Sequence, residues 1–193
     1  MFSLIVITPE KNHQKEIEII AYLFECGLKI LHVRKPTFTE DELRNYIEEI
    51  PKKFYKKIVI HSHYKLAKEF SLKGIHLTEK ERKLNRINSA SKIISTSFHS
   101  IEEVLKSRRK YKYVFLSPTF DSISKQGYKS NFNLEELELF LKRKKNVIAL
   151  GGINSRNIAT IKQISFAGAA VLGFVWESKN LVKDYKELTL KIK

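Results

Sequence analysis

Tyr113-Val-Phe-Leu-Ser-Pro-Thr-Phe-Asp-Ser-Ile-Ser-Lys125 joins a short apolar run to a loop dense in hydroxyls, with one carboxylate and one lysine. A buried strand that empties into such a loop is what an anion site at a strand end requires. A second junction of this kind follows at Asn146-Val-Ile-Ala-Leu-Gly-Gly-Ile153. Two polar loops after two apolar strands point to phosphate chemistry at one end of a parallel sheet.

Outward from these two junctions the chain alternates. Apolar, β-branched runs at Leu4–Thr8, Ile30–Arg34, Ile58–His61, Gly74–Leu77, Ile93–Ser97, Tyr113–Ser117, Val147–Gly151 and Ala169–Gly173 predict eight strands. Between most of them lie stretches of helical period. Glu16–Phe24 places Ile17, Ile20, Ala21 and Phe24 on one face, and Glu40–Ile50 follows Thr39 with Glu42 as a capping box. Leu134–Leu141 and Asn154–Ile164 behave likewise, whereas Arg82–Ser91 is weakly apolar and predicts a degenerate helix or an irregular connection. Nearly continuous apolar strands suit a parallel sheet covered on both faces. Eight β-then-α units predict a single-domain (β/α)₈ TIM barrel over residues 1–193. The competing reading is a doubly wound open sheet, but no Gly-x-Gly-x-x-Gly follows the first strand.

Size and composition agree with one globular domain. The chain has 193 residues, 42% hydrophobic and 30% charged, which is neither a disordered nor a fibrous balance. No apolar run approaches the roughly 18 residues of a membrane span, and Met1–Thr8 reads as a first strand, not a leader. The single cysteine, Cys26, reads as lying on the apolar helical face Ile20/Leu23/Phe24 and is expected in the core of a cytoplasmic protein. The formal net charge is +15. Nucleic acid is the first suspect for such a charge. However, runs such as Arg108-Arg109-Lys110 and Arg143-Lys144-Lys145 fall before strands, at helix ends, where cations complement the helix dipole. Anionic small molecules are therefore the expected partners, with no nucleic acid and no membrane, and a homodimer is compatible with the sequence.

In a barrel, chemistry gathers where strands end. Those positions hold His32, Arg34 and Lys35; His61, Ser62 and His63; His76, Glu79 and Glu81; Ser97 and His99; Ser117 through Lys125; Gly151, Gly152 and Asn154; and Gly173. Five of the six histidines fall among them. Arg34-Lys35 reads either as a solvated loop or as an anion clamp, in which Arg offers a planar fork and Lys a mobile charge. Gly151-Gly152 lets backbone N–H groups approach a phosphate. His-x-His at 61–63 is a weak metal motif, and His76 reads as a packed barrel residue.

Taken in order, these segments resemble the thiamine phosphate synthase/TenI-like family. The resemblance rests on His32-Val-Arg34, Ile60-His-Ser62, Gly74-Ile-His-Leu77, Ser97-Phe-His99, Ser117–Lys125, Ala149-Leu-Gly-Gly-Ile153 and Gly168–Gly173. It implies a thiamine-biosynthetic TIM barrel that couples hydroxymethylpyrimidine diphosphate to thiazole phosphate and releases diphosphate. It implies that Arg34, Lys35, Ser122, Ser124 and Lys125 bind the diphosphate, with Lys125, Arg34 and Ser97 acting in catalysis. Gly151, Gly152, Leu172 and Gly173 would hold the thiazole phosphate, and His32, His61, His99 and Ser117 would line the substrate pocket. Mg²⁺ is the implied cofactor, with Glu81 as its ligand. Where the family carries a metal-binding aspartate after the third strand, this chain has Ser62, and Pro36 replaces a lysine. The TenI-like thiazole tautomerase is the alternative, although its histidine after the sixth strand is replaced by Pro118. A non-catalytic phosphate-binding or regulatory barrel is a third reading. Gly127 and the polar stretch Gln126–Asn133 predict a mobile flap.

Overall fold

The computed structural model describes residues 2–84, 92–120 and 132–192. Eight parallel strands close into a barrel in chain order: β1 (Ser3–Ile7), β2 (Ile30–Val33), β3 (Ile58–Ile60), β4 (Gly74–Leu77), β5 (Ile93–Phe98), β6 (Tyr113–Leu116), β7 (Val147–Leu150) and β8 (Gly168–Val171). The expected (β/α)₈ architecture is met, and each strand begins and ends within two residues of its predicted place. Most strand residues are buried, as parallel strands covered by helices must be.

The chain forms two compact units, Ile5–Ile94 and Ser95–Lys193 with Met1–Leu4. In the first, α1 (Glu16–Glu25), α2 (Glu40–Glu49), α3 (Leu66–Glu69) and α4 (Glu79–Leu84) separate the strands. α1 buries Ile20, Leu23 and Phe24, and α2 buries Leu43, Tyr46 and Ile47. The predicted capping box closes α2: the Thr39 hydroxyl accepts the Glu42 N–H, and the Glu42 carboxylate accepts the Thr39 N–H at 2.7 Å. Cys26 departs from expectation. α1 ends at Glu25, so Cys26 is its C-cap and is exposed, off the buried face. Of Arg82–Ser91, the first three residues complete α4, and 85–91 lie outside the described residues.

In the second unit, α5 (Ile101–Lys106), α6 (Leu134–Arg143), α7 (Ile158–Gln163), α8 (Gly173–Trp176) and α9 (Leu181–Ile192) play the same part. Side-chain oxygens start two of them. Ser100 accepts the Glu103 N–H, and Asn133 accepts those of Glu135 and Glu136.

Each unit contains one strand that starts on glycine because a neighbouring backbone leaves no room. A Cβ at Gly74 would lie 2.3 Å from the Lys92 carbonyl oxygen, and one at Gly168 would lie 2.1 Å from that of Ser3. The close approach carries the ladder on: the Ile75 N–H donates to the Lys92 carbonyl, and the Ser3 N–H to that of Ala167. Among the described residues, no helix is long and apolar enough to cross a membrane.

Candidate active site

In the first unit, His32 stands opposite Val59, and Val59 opposite Gly74. Strand alternation then puts His32, His61 and His76 on one face. Their rings meet. The Nδ1 of His32 lies 2.8 Å from the Nε2 of His61, and the rings of His61 and His76 stack at 4.2 Å. Burial pushes all three imidazoles below their usual range, with His76 lowered to about 3, and the positive charge of Arg34 adds to the effect at His61 and His76. All three are therefore neutral at pH 7. His76 is buried as expected, but as a member of a cluster and not as an isolated packed side chain.

Arg34 follows directly from β2. Its N–H donates to the Thr8 hydroxyl at 2.9 Å, and its guanidinium pairs with Glu10 while staying partly exposed. Thus the arm is fixed at its root and keeps a face available for an anion. Lys35 behaves differently from the expected diphosphate ligand. Its side chain has no exposed surface, and its Nζ donates to Glu16 at 2.8 Å and to the Lys11 carbonyl at 3.3 Å. The Tyr46 hydroxyl donates to the other Glu16 oxygen at 2.6 Å. The Phe38 and Tyr46 rings flank the ammonium. A lysine so committed cannot leave without stranding a buried carboxylate. No local pattern foretells this, because Glu16 lies on another element and looks like an ordinary first-turn acid.

A pocket of about 390 Å³ opens beside Arg34, lined also by His61, Ser62, His63, Thr78 and Glu81. Thus Arg34, Glu81 and Ser62, which are separated in sequence, share one cavity. A larger cavity of about 510 Å³ borders α1 and α2, but Glu16, Glu18, Glu42 and Glu49 line it. Lys15 and His13 line it as well, and Glu16 is already paired with Lys35, so the remaining carboxylates leave it less suited to an anion than the cavity beside Arg34.

In the second unit, Ser97 lies opposite Phe115 on β6. The Nδ1 of His99 is 3.0 Å from the Ser117 carbonyl oxygen. A carbonyl only accepts, so Nδ1 carries the proton and Nε2 is the basic nitrogen. The backbone N–H of His99 donates to the Glu103 carboxylate at 2.9 Å. The Ser117–Pro118 peptide is cis. Thr119 then ties β6 to β7: its N–H donates to the Leu150 carbonyl at 2.9 Å, and its hydroxyl to that of Leu116 at 2.9 Å.

Gly151 and Gly152 both have positive φ, at 97° and 67°. A side chain at Gly151 would also press on Pro118, whose Cα would be 3.0 Å away. The amides of Asn154 and Asn157 donate to the Gly152 carbonyl at 3.2 and 2.8 Å, which fixes that peptide's orientation. Leu172 caps α8, and Gly173 is its first residue. Ser122, Ser124, Lys125 and most of the expected flap, 126–131, lie outside the described residues.

Known proteins match this chain in sequence and fold. The thiamine monophosphate synthase profile matches residues 4–175. Thiamine-phosphate synthase 1 of Streptococcus pneumoniae is 28% identical over 153 residues, covering 77% of this chain and 73% of that protein. The crystal structure of thiamine phosphate pyrophosphorylase from Bacteroides thetaiotaomicron is 36% identical, covers 98% of this chain and 97% of its own, and superposes with a TM-score of 0.83. The thiamine phosphate pyrophosphorylase of Pyrococcus furiosus has the same fold at 20% identity, with a TM-score of 0.78 over 99% of this chain and 95% of that one. With both the profile and a 36% identical structure spanning most of its length, the chain belongs to the thiamine monophosphate synthase family.

Proposed function

We propose that this protein is a thiamine-biosynthetic transferase that joins hydroxymethylpyrimidine diphosphate to thiazole phosphate, forming thiamine phosphate and releasing diphosphate. The family match over residues 4–175 carries the reading. The partly exposed Arg34, facing a pocket of about 390 Å³, supports it.

The roles follow from charge. As the bond to the diphosphate breaks, positive charge grows on the pyrimidine methylene and negative charge on the leaving oxygens. Groups that meet the growing negative charge lower the barrier more than they tighten ground-state binding. Arg34, Ser97, Ser122, Ser124 and Lys125 take that role. Lys35 does not; it holds Glu16 and so steadies the segment that follows Arg34. Gly151, Gly152, Leu172 and Gly173 offer backbone N–H groups to the thiazole phosphate. The neutral ring of His61, which lines that pocket, presents a flat polar surface to the pyrimidine; His32, expected there too, is fully buried and stands behind it.

The donor set beside Arg34 fits Mg²⁺ in a minimal way. It offers the Glu81 carboxylate with the hydroxyls of Ser62 and Thr78. Mg²⁺ keeps several waters and binds through one or two carboxylates plus substrate phosphates. Glu81 would hold it, and the bound ion supplies positive charge to the diphosphate oxygens. Small anionic phosphates as substrates, and a lone cysteine, fit a cytoplasmic enzyme.

The test is direct. Purified protein is incubated with both substrates, with Mg²⁺ and with chelator, and assayed for thiamine phosphate. Metal-dependent product, lost in Lys125→Ala, is the expected result. No product, with deuterium exchange into a thiazole carboxylate phosphate instead, would replace the reading with a tautomerase in which the basic Nε2 of His99 moves the proton.

A further inference from the structure

His32, His61 and His76 each offer one ring nitrogen, and the three atoms lie within 4.8 Å of one another. Among the described residues this is the one group of three or more His, Cys, Asp or Glu side chains so arranged. The rings come from three adjacent strands, on one face, so the sheet itself sets their spacing. We propose that these three histidines form a binding site for a borderline divalent transition metal of the zinc class, separate from the oxygen ligands suited to Mg²⁺. The proposal does not depend on the transferase reading.

Three observations support it. First, the ligand type is right. Neutral imidazole is a preferred ligand for Zn²⁺, Co²⁺, Ni²⁺ and Cu²⁺, whereas Mg²⁺ selects oxygen. Burial keeps these rings neutral at pH 7, so each has one unprotonated nitrogen to offer, and the proton held between His32 Nδ1 and His61 Nε2 passes to the far nitrogen of its ring when both bind. Second, three histidines leave a fourth position. His61 lines the pocket of about 390 Å³, so that position has a route to solvent or ligand. Third, the surroundings hold two of the rings in place. Tyr64 donates to the His76 carbonyl at 3.1 Å, and His32 has no exposed surface.

Loading demands a small rearrangement. Nitrogens on a tetrahedral zinc at Zn–N of 2.0–2.1 Å sit about 3.3 Å apart, with the metal near each ring plane. The 2.8 Å contact between His32 and His61 has to open by about half an ångström. The His61 ring also has to turn out of its stack on His76. Arg34 opposes the metal: its charge already disfavours positive charge on His61 and His76. Its pairing with Glu10 moderates that repulsion. Arg34 therefore acts in opposite directions on the two ligand classes, favouring diphosphate and weakening the cation.

The test uses the full chain, stripped of metal by chelator and without substrates. Zn²⁺ is titrated by calorimetry, and Co²⁺ by its visible ligand-field bands. One equivalent per chain is expected, undiminished by millimolar Mg²⁺. His61→Asn and His76→Asn should each weaken binding on the order of 100-fold, and Arg34→Gln should tighten it several-fold. Binding retained in both histidine variants would place the metal at His13, His63, His99 or Cys26 and overturn the proposal, as would no stoichiometric uptake. Should either variant fail to fold, imidazole NMR of the wild-type chain decides: one equivalent of Zn²⁺ must shift the ring signals of His32, His61 and His76. Unmoved signals, or movement of the other three alone, overturn it. Because no substrate is present, a failure here leaves the thiamine phosphate assay untouched.

Discussion

The two compact units equip their strand ends in different ways. In Ile5–Ile94, long side chains dominate: three touching imidazoles, a guanidinium paired with Glu10, and a lysine sunk against Glu16 and Tyr46. In Ser95–Lys193, the described strand ends are built mostly of backbone, small hydroxyls and amides bonded to backbone, as at Thr119, Gly151, Gly152, Asn154 and Asn157, with His99 adding an imidazole. The difference teaches that one fold can supply two kinds of recognition. Side chains with tunable charge suit a group that changes during reaction. A rigid backbone cradle suits a phosphate that stays unchanged.

If that contrast holds, acid should destabilise the protein mainly through the first unit. Its three buried histidines have folded pKa values below their unfolded values. The unfolded chain then binds protons that the folded chain refuses. Stability is fully present above about pH 6.5 and is lost as pH falls towards the folded value, about 3 for His76. Each withheld proton contributes up to about 1.4 kcal/mol per pH unit. Urea unfolding of metal-stripped protein between pH 6.5 and 4 should show this slope, and His76→Asn should flatten it by about one proton. An unchanged slope would break the comparison.

Next in size is Lys35→Met. It leaves Glu16 charged, buried and unpaired, a loss of about 3–5 kcal/mol. Adding Glu16→Gln should recover part of it, and a denaturant double-mutant cycle measures the coupling. Arg34→Ala should lower kcat/KM for thiamine phosphate formation on the order of 10²-fold with little change in stability. Equal loss of stability and turnover would make Arg34 structural. Last, Gly168→Ala and Gly74→Ala force a Cβ into backbone carbonyls and should each cost about 1–3 kcal/mol, read as a lower Tm. The crowding is common to both units, and Gly74→Ala should cost the more because its φ of 152° also strains any side chain there.

Much of this was legible in advance, for physical reasons. Parallel strands covered on both faces must be apolar throughout, so Ile58–Ile60 or Val147–Leu150 announce themselves. Thr39 and Glu42 announce a helix start because a capping box is a local device. Gly151-Gly152 was legible because positive φ selects glycine. What escaped depends on distant partners. Lys35 looked like a second half of an anion clamp, and only its contact with Glu16 and Tyr46 removes it. The histidines were legible singly, as strand-end residues. Their union was not, because it requires the register that sets His32 opposite Val59 and Val59 opposite Gly74. Cys26 was misplaced because α1 ends one residue before it, and the end of α1 decides whether it meets the core or water.

The sealed ammonium of Lys35 makes the chain its own unfolding gauge. In a surface rich in lysine, amine-acylating reagents will modify exposed side chains within moments, yet this one has no accessible surface and donates to a buried carboxylate. Mass spectrometry of its tryptic peptide after timed acylation would therefore report how often Ile5–Ile94 opens, with no probe added to the protein.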